Sequence, residues 1–264
     1  MNAHALPTGA LPSRGTPFER CLPGAALREL VAAYFSVRVQ PDDASIAVRA
    51  VPDGCCDLMF DLRQPATAWM RGPRASATRY EHVGPTWLLG AQLLPGAAHA
   101  FNGQSTHLLA GLAVDLSTLC AVALQPVADG LRQAGTLSAQ APLFDSFLLQ
   151  GFTARRIDPR IKRACAALKS TDGSIDIEAL ASACATSERN LSRLFKLWVG
   201  MGPKQLQRVL RFQRVLEAFD RGERPAWASL AHDLGYSDQS HLVREFAAFA
   251  GLPPESILNG TPAP

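Results

Sequence analysis

Two stretches decide the fold of the C-terminal third of this 264-residue chain: LASACATSERNLSRLFKLWVGMGP (180–203) and LAHDLGYSDQSHLVREFAAFAGLPP (230–254). A Leu-Ala pair and a serine align between them at an offset of 50, and a later series of Leu, Arg, Phe, Gly and Pro aligns at 51. The equivalent residues are Leu180 and Leu230, Ala181 and Ala231, Ser187 and Ser237, Leu191 and Leu242, Arg193 and Arg244, Phe195 and Phe246, Gly200 and Gly251, and Pro203 and Pro254. Identities in the same order, with a single one-residue slip after the serine, indicate an internal duplication.

Each copy predicts a helix, a short turn and a second helix. The first helices carry the same apolar stripe, which comprises Ile177, Leu180, Ala181 and Cys184 in one copy and Trp227, Leu230, Ala231 and Leu234 in the other. The turns fall at Ala185-Thr186 and Gly235-Tyr236. Ser187 and Ser237 are predicted N-caps of the second helices, each beside an acidic residue that favours the positive helix end. Two helices joined by so short a turn are typical of the DNA-binding helix-turn-helix.

The second helix of each copy is predicted to have a core face and a groove face. In the first copy, Leu191, Leu194, Phe195 and Trp198 project to one side, and the opposite side is basic and polar. Arginine can bond both acceptors of a guanine edge, and lysine can contact phosphate, so this face suits a helix lying in the major groove. In the second copy the core face is Leu242, Phe246 and Phe249.

Positive charge is concentrated where this hypothesis needs it. Residues 189–214 contain seven basic residues and no acidic one, although the whole chain has a formal net charge of only +3. A long amphipathic helix over 204–219 is predicted to connect the copies. Its core stripe would be Leu206, Val209, Phe212, Leu216 and Phe219.

Residues from about 158 to 258 resemble the DNA-binding domain of AraC/XylS-type transcription regulators, through the LA…S…LSRLFK…G-x-x-P motif and through LAHDLGYSDQSHLVREF…GLPP. The resemblance implies a seven-helix domain with two major-groove readers. It places groove-facing, DNA-binding residues at Arg189, Ser192, Arg193, Gln239, Ser240, His241 and Arg244. The basic face of the second helix of the first copy adds Lys196 to the predicted DNA-binding residues. We further predict phosphate contacts for Ser187, Lys204, Arg208 and Ser237. More loosely, VPDGCCDLMF (51–60) and LLPGAA (93–98) resemble the sensor-like domain of some members.

The N-terminal half predicts a small β-rich domain with helices, so the fold class is α+β. Strands are expected at 46–51 and 58–62 around a turn at Pro52-Asp53-Gly54, and at 67–70, 86–94 and 108–114, followed by helical spacing from 116 to 151. Asp158-Pro159 predicts a helix start. The domains are predicted as a flexible tail over 1–17, a β-rich sensor or dimerisation domain over 18–152, and a double helix-turn-helix domain over 158–258. The N-terminus reads as a tail and not as a signal peptide, and no apolar run is long enough to span a membrane.

Few residues of the N-terminal half suggest other chemistry. Six scattered cysteines without a CxxC spacing indicate buried thiols in a reduced protein, and we predict no metal and no cofactor. Asp53 and Asp57 could be paired catalytic carboxylates, but a Pro-Asp-Gly turn accounts for Asp53. For Trp69, Trp87 and His99, core packing is favoured over a role in lining a ligand pocket.

Two classes of function remain open. The first, which we favour, is a non-enzymatic, sequence-specific transcription regulator that acts in the cytoplasm on the nucleoid. Its partners would be double-stranded DNA and, as candidates, a small-molecule effector, RNA polymerase and a second copy of the chain. The second is an enzymatic or DNA-repair domain over 18–150 that the C-terminal domain targets to DNA. A four-cysteine zinc cluster would require Cys21, Cys55, Cys56 and Cys120, which lack the usual spacing, and a zinc assay would separate the classes.

Overall fold

A computed structural model describes residues 10–12, 18–40, 46–152, 156–221 and 226–258. The strands are β1 Ala10–Pro12, β2 Phe18–Cys21, β3 Val31–Val39, β4 Ile46–Ala50, β5 Cys56–Asp61, β6 Thr67–Arg71, β7 Thr78–His82, β8 Thr86–Leu93 and β9 Ala113–Asp115. The helices are α1 Ala97–Asn102, α2 Leu124–Ala134, α3 Leu137–Gly151, α4 Pro159–Ser170, α5 Ile177–Ala183, α6 Glu188–Trp198, α7 Pro203–Asp220, α8 Trp227–Asp233, α9 Gln239–Ala250 and α10 Pro254–Leu258. A β-rich half precedes a helical half, which confirms the predicted α+β class.

The strands form two antiparallel sheets. One has the order β1-β4-β7, and the other has the order β2-β3-β8-β5-β6-β9. Along the larger sheet, alternate side chains face opposite ways, as the period of two requires. On β5, Leu58 and Phe60 enter the main core, whereas Met59 belongs to a second apolar cluster that also includes Val48 of the smaller sheet. This second cluster therefore lies between the two sheets.

The main core of the N-terminal half lies between the larger sheet and α3. Phe144 of this helix packs against Tyr34 and Phe60, with ring centroids 5.0 Å and 5.7 Å away. The Tyr34 hydroxyl donates to Asp145 at 2.6 Å, which satisfies a polar group on an otherwise buried ring. The helical spacing predicted over 116–151 is confirmed by α2 and α3, while residues 116–118 form a short 3₁₀ turn.

Several details of the N-terminal half differ from the sequence expectations. The strands at 46–51 and 58–62 exist, but β4 and β5 lie in different sheets and do not form a hairpin. The strand expected over 108–114 is wrong up to residue 112, because Gly111 adopts a φ of 72° and reverses the chain before β9. Strands β3 and β7 were not predicted from the sequence. Residues 10–12 pair with β4, so the flexible tail expected over 1–17 fails for these three residues; the rest of that segment lies outside the described residues.

The helical half begins where the sequence predicted. Pro159 is the first residue of α4, and the side chain of Asp158 accepts a hydrogen bond from the Arg160 N–H at 2.8 Å. The connecting helix α7 buries Leu206, Val209, Phe212 and Leu216, as the predicted stripe required. It joins two helix pairs, α5–α6 and α8–α9.

Candidate nucleic-acid interface

The first helix pair has a tight turn between α5 and α6. Ala185 adopts a φ of 49°, and the Thr186 N–H donates back to the Ala181 carbonyl at 3.1 Å. Ser187 then caps α6 by accepting from the Asn190 N–H at 3.3 Å, which confirms it as an N-cap. The turn and the cap together fix the direction in which α6 leaves.

The second pair repeats the turn but not the cap. Gly235, with a φ of 71°, occupies the place of Ala185, and the Tyr236 N–H donates to the Ala231 carbonyl at 2.8 Å. The prediction that Ser237 caps α9 is wrong. Asp238 is the cap and accepts from the His241 N–H at 2.7 Å, because the extra residue after the serine moves the helix start forward by one.

The core face of each second helix is buried against its neighbours. Leu191, Leu194 and Phe195 of α6 are buried, and so are Leu242, Phe246 and Phe249 of α9. The predicted DNA-binding residues occupy the remaining surface. Arg189, Arg193, Lys196, Gln239, Ser240 and Arg244 are exposed, and Ser192 and His241 are half-buried.

Two predicted readers have partners that fix their side chains. The Arg193 guanidinium donates to the Asn190 side-chain oxygen, with N–O distances of 3.0 Å and 3.3 Å. The His241 ring lies 3.1 Å from the Ser237 hydroxyl and packs edge-on against Tyr236. These contacts restrict the rotamers of Arg193 and His241 before any ligand arrives.

The residues predicted to contact phosphate are all exposed, but they have different neighbours. Ser187 and Ser237 precede α6 and α9, and Lys204 lies in the first turn of α7. Arg208 donates to Glu245 at 2.7 Å. Glu245 is buried, so this ion pair fastens α7 to α9.

The β-rich half contacts the C-terminal end of α6. The Thr106 hydroxyl donates to the Trp198 carbonyl at 2.9 Å, and the His107 Nδ1 lies 3.3 Å from the Gly200 carbonyl oxygen. The His99 ring packs on Trp198 with centroids 4.2 Å apart. A Cβ on Gly200 would meet Pro73 at 2.7 Å, so the close approach requires glycine there.

The same half contacts the corresponding end of α9. The Ala77 N–H donates to the Phe249 carbonyl at 2.8 Å, and Arg49 Nη1 donates to the Ala250 carbonyl at 3.2 Å. The last carbonyls of a helix lack partners within it, so these donors satisfy orphan acceptors at the negative helix end. We call the contacts of Thr106, His107, Ala77 and Arg49 with α6 and α9 the two-helix clamp.

Sequence reasoning missed the two-helix clamp. The equivalence of Gly200 and Gly251 could have marked the two helix ends, since both adopt a positive φ. Nothing in the sequence near Thr106 or Arg49 identified them as partners of those ends.

A cavity of about 230 Å³ lies between the two sheets of the N-terminal half. Its walls are mostly apolar and aromatic, with charged groups at some positions. The lining residues are Phe18, Phe35, Val37, Val48, Ala50, Asp57, Met59, Asp61, Arg63, Trp69, Arg71, Tyr80, His82, Leu88 and Gln92. Trp69 packs against the second apolar cluster, as favoured, and also lines the cavity. Trp87 packs against the main core and under Arg38, whose guanidinium carbon is 4.2 Å from the ring centroid.

Asp53 is more than a turn residue. It is buried, its Oδ1 accepts from the Cys55 N–H at 2.9 Å, and its Oδ2 accepts from Gln92 Nε2 at 2.5 Å. Burial, with a smaller contribution from Asp57, raises the pKa of Asp53 to about 6. Asp57 forms an ion pair with Arg74 at 3.2 Å. Burial likewise raises the pKa of Cys56, so this thiol remains protonated.

Across the described ranges, no group of three or more His, Cys, Asp or Glu side chains is arranged to hold a metal ion. None of the helices within those ranges combines the length and the apolar character needed to cross a membrane.

α6 and α9 each expose one face, and a tight turn joins each of them to a supporting helix. This arrangement defines a helix-turn-helix DNA-binding protein. Residues 180–260 match the family model described as "Helix-turn-helix domain", and residues 19–115 match "Domain of unknown function (DUF6597)". The C-terminal third of the chain is thus a helix-turn-helix domain of the AraC type, a kind of domain that binds DNA.

Two curated relatives match part of the chain. The bifunctional transcriptional activator/DNA repair enzyme Ada of Escherichia coli is 32% identical over 105 residues, and the regulatory protein ada of Salmonella typhimurium is 34% identical over 106 residues. Each match covers 40% of this chain, and the chain spans only 28% and 29% of the relatives' lengths.

Similar solved structures have low sequence identity. ToxT of Vibrio cholerae is 9% identical, with a TM-score of 0.45 and coverage of 96% of this chain and 98% of that one. An AraC-type DNA-binding domain protein of Chromobacterium violaceum is 18% identical, with a TM-score of 0.36 and coverage of 40% of this chain and 96% of that one.

Proposed function

We propose that this chain is an AraC-type transcription regulator, that it binds an operator with two unlike half-sites, and that its β-rich half controls that binding. The first half-site is read by Arg189, Ser192 and Arg193, with Lys196 on an adjacent phosphate, and the second by Gln239, Ser240, His241 and Arg244. Ser187, Lys204, Arg208 and Ser237 contact phosphates. The exposure of nearly all of these side chains supports the assignment. The two sets differ in charge and hydrogen-bonding groups, so the half-sites should differ in sequence.

The observation that carries the control proposal is the two-helix clamp. One body of the protein touches the C-terminal ends of both α6 and α9, while Arg189 and Gln239, near the N-terminal ends, remain exposed. The clamp therefore leaves the groove faces exposed and holds α6 and α9 at a fixed distance and orientation relative to each other. A fixed relation lowers the entropy lost when both readers engage DNA together.

The cavity between the sheets is the proposed effector site. Its wall residues Val48 and Ala50 flank Arg49, which bonds the end of α9. Its wall residues Arg71 and Tyr80 lie on either side of segment 72–77. Pro73 of this segment contacts the end of α6 at Gly200, and Ala77 bonds the end of α9 at Phe249. A ligand that moved these walls would shift the clamp, and a shift between two clamp positions is all that control of operator binding requires.

The wider roles follow from this scheme. Residues 18–152 form the regulatory unit and do not catalyse, and residues 158–258 form the DNA-binding unit. Leu143 and Leu149 of α3 are exposed apolar side chains that a second copy of the chain could cover. RNA polymerase is the expected partner at the promoter, and the protein acts in the cytoplasm on the nucleoid.

Footprinting of the full chain on its operator, found by genome-wide binding-site mapping, tests the two readers. We expect protection of two major-groove segments roughly 10 bp apart on one face, with different sequences. Protection of one segment only would refute two working readers.

The clamp is tested with Thr106→Val, which removes the hydroxyl that bonds Trp198. Affinity for the two-site operator should fall by up to about tenfold, since one hydrogen bond contributes roughly 0.5–1.5 kcal/mol. Affinity for DNA with a single half-site should not change. Thr118→Val is the matched control, because its hydroxyl bonds only the nearby Asp115 carbonyl. Equal operator affinities for Thr106→Val and the wild type would refute the clamp.

A further inference from the structure

Arg71 is the distinctive polar group of the cavity. It follows Trp69 by two residues on β6, so both side chains lie on the face that lines the cavity. Its guanidinium carbon is 4.2 Å from the centroid of the Tyr80 ring. Stacking occupies the flat face of a guanidinium and leaves its in-plane N–H donors free for a planar, bidentate acceptor.

The other charges of the cavity are already neutralised in pairs. Asp61 accepts from Arg63 Nε at 3.0 Å, and Asp57 is paired with Arg74. Asp57 lies opposite Arg71 in the strand register, but its ion-pair partner is Arg74. Among the described residues, no carboxylate lies within ion-pair distance of Arg71. Asp57 acts on Arg71 electrostatically but only from beyond ion-pair distance, so Arg71 is the cation on the wall that a ligand could pair with directly.

The rest of the cavity restricts what that ligand can be. Phe18, Phe35, Met59 and Trp69 present apolar surface to the same cavity. At about 230 Å³ the space is below the ~300–1,000 Å³ typical of sites for drug-sized ligands. Burial lowers the pKa of Arg71, and a bound anion would offset that cost.

We propose that the cavity binds a small monocarboxylate with an apolar, preferably aromatic, body, and that its carboxylate is held by the Arg71 guanidinium. This inference rests on the proposed role of the cavity as the effector site. The apolar body lies against the aromatic walls. The carboxylate binds at Arg71, the residue that immediately precedes segment 72–77. The ligand charge therefore lies next to the part of the chain that reaches both readers.

Calorimetric titration of the full chain without DNA tests the ligand class. The probes are benzoate, phenylacetate and hexanoate, each compared with its neutral amide, and benzylamine as a cation. The carboxylates should bind at least about tenfold more tightly than the amides, because hydrogen bonds to charged groups are worth more than neutral ones. Amides or benzylamine binding as tightly as the carboxylates would overturn the proposal, and so would a failure of all the carboxylates to bind.

Arg71→Gln tests the residue. It should weaken carboxylate binding by roughly 10- to 100-fold and leave amide binding unchanged. Arg71→Lys, which keeps the charge but loses the bidentate geometry, should fall between. Arg38→Gln is the matched control, because Arg38 also stacks on an aromatic ring at 4.2 Å but lies outside the cavity. Unchanged carboxylate affinity in folded Arg71→Gln would overturn the assignment, and the wild-type preference for carboxylates over amides tests it even if that variant does not fold.

Operator titration with and without benzoate separates this inference from the proposed function. Carboxylate binding without any change in operator affinity refutes the proposed control and supports the cavity assignment. Operator affinity that responds to a neutral compound but to no carboxylate supports control and overturns the ligand class.

Discussion

The two helix-turn-helix units, α5–α6 (unit one) and α8–α9 (unit two), share their turn but differ in their caps and in how their cores use aromatic rings. Ala185 and Gly235 both adopt a positive φ, and the same backbone hydrogen bond closes each turn. The caps differ, however, since one is a serine and the other an aspartate. The two units therefore share the backbone geometry of the turn, several core residues and one reader arginine, whereas their caps and their other reader side chains differ.

The cores of the units differ in how they use aromatic rings. Phe246 packs against Phe212 and Phe219 at centroid distances of 5.1 Å and 5.7 Å. Its counterpart Phe195 is equally buried but, among the described residues, has no ring partner. Unit two is therefore stabilised by aromatic ring contacts as well as by burial of apolar surface.

The largest expected effect tests this difference in core packing. Phe246→Ala should lower the free energy of unfolding by about 3–5 kcal/mol, because it removes a buried ring and leaves a cavity. Phe246→Leu should cost more than Phe195→Leu by roughly 0.5–1.5 kcal/mol, the contribution of aromatic pairs beyond their area. Urea denaturation measures both. Equal costs for the two leucine variants would show that the ring contacts add nothing to unit two.

The next effect compares the readers at their equivalent arginines. Arg193→Ala should cost about 1–3 kcal/mol of specific binding and relax the preference at one base pair. Arg244→Ala should cost less, because Asn190 holds Arg193 in place. Within the described part of the chain, Arg244 has no such side-chain hydrogen bond. Titration against single-base operator variants measures both. Unchanged relative affinities for Arg193→Ala would show that it does not face the bases.

A smaller effect on stability is expected from the two N-caps, Ser187 of α6 and Asp238 of α9. Ser187→Ala should cost about 0.5–2 kcal/mol of stability at every pH, because a serine cap carries no charge. Asp238→Ala should cost stability in a pH-dependent way, and Ser237→Ala should have little effect on the helix. Unfolding of the three variants by urea provides the comparison.

The pH dependence follows from the Asp238 cap itself. The His241 N–H that donates to its carboxylate lowers the pKa of Asp238. The stabilisation is therefore present above the unfolded-state pKa of about 3.9 and is lost as the pH falls through the lower folded-state value. Asp238→Ser is the control, because it keeps a cap without a charge. A constant difference between the wild type and Asp238→Ala across this range would rule out a charged cap.

How much the sequence could predict depends on how local the determining interactions are. Pro159, the buried stripe of α7 and the Ser187 cap were predictable because each depends on neighbours within a few residues. The Ser237 prediction failed by one position because two adjacent polar residues could each cap, and the one-residue slip after the serine moves the cap to Asp238. The cavity and the clamp depend on pairs such as Arg49 and Ala250, far apart in sequence, and no local pattern encodes such contacts.

The smallest effect concerns a charge that the second unit lacks. Lys196 is exposed on α6, and the repeat places Ala247 at the equivalent position of α9. If Lys196 contacts a phosphate, Lys196→Ala should weaken binding to all sequences alike and lower the slope of log affinity against log salt by about 1. Lys169→Ala is the matched control, because Lys169 is an exposed lysine of α4 outside the predicted interface. A change in base preference for Lys196→Ala would instead make Lys196 a base reader, and unit one would then differ from unit two in specificity as well as in charge.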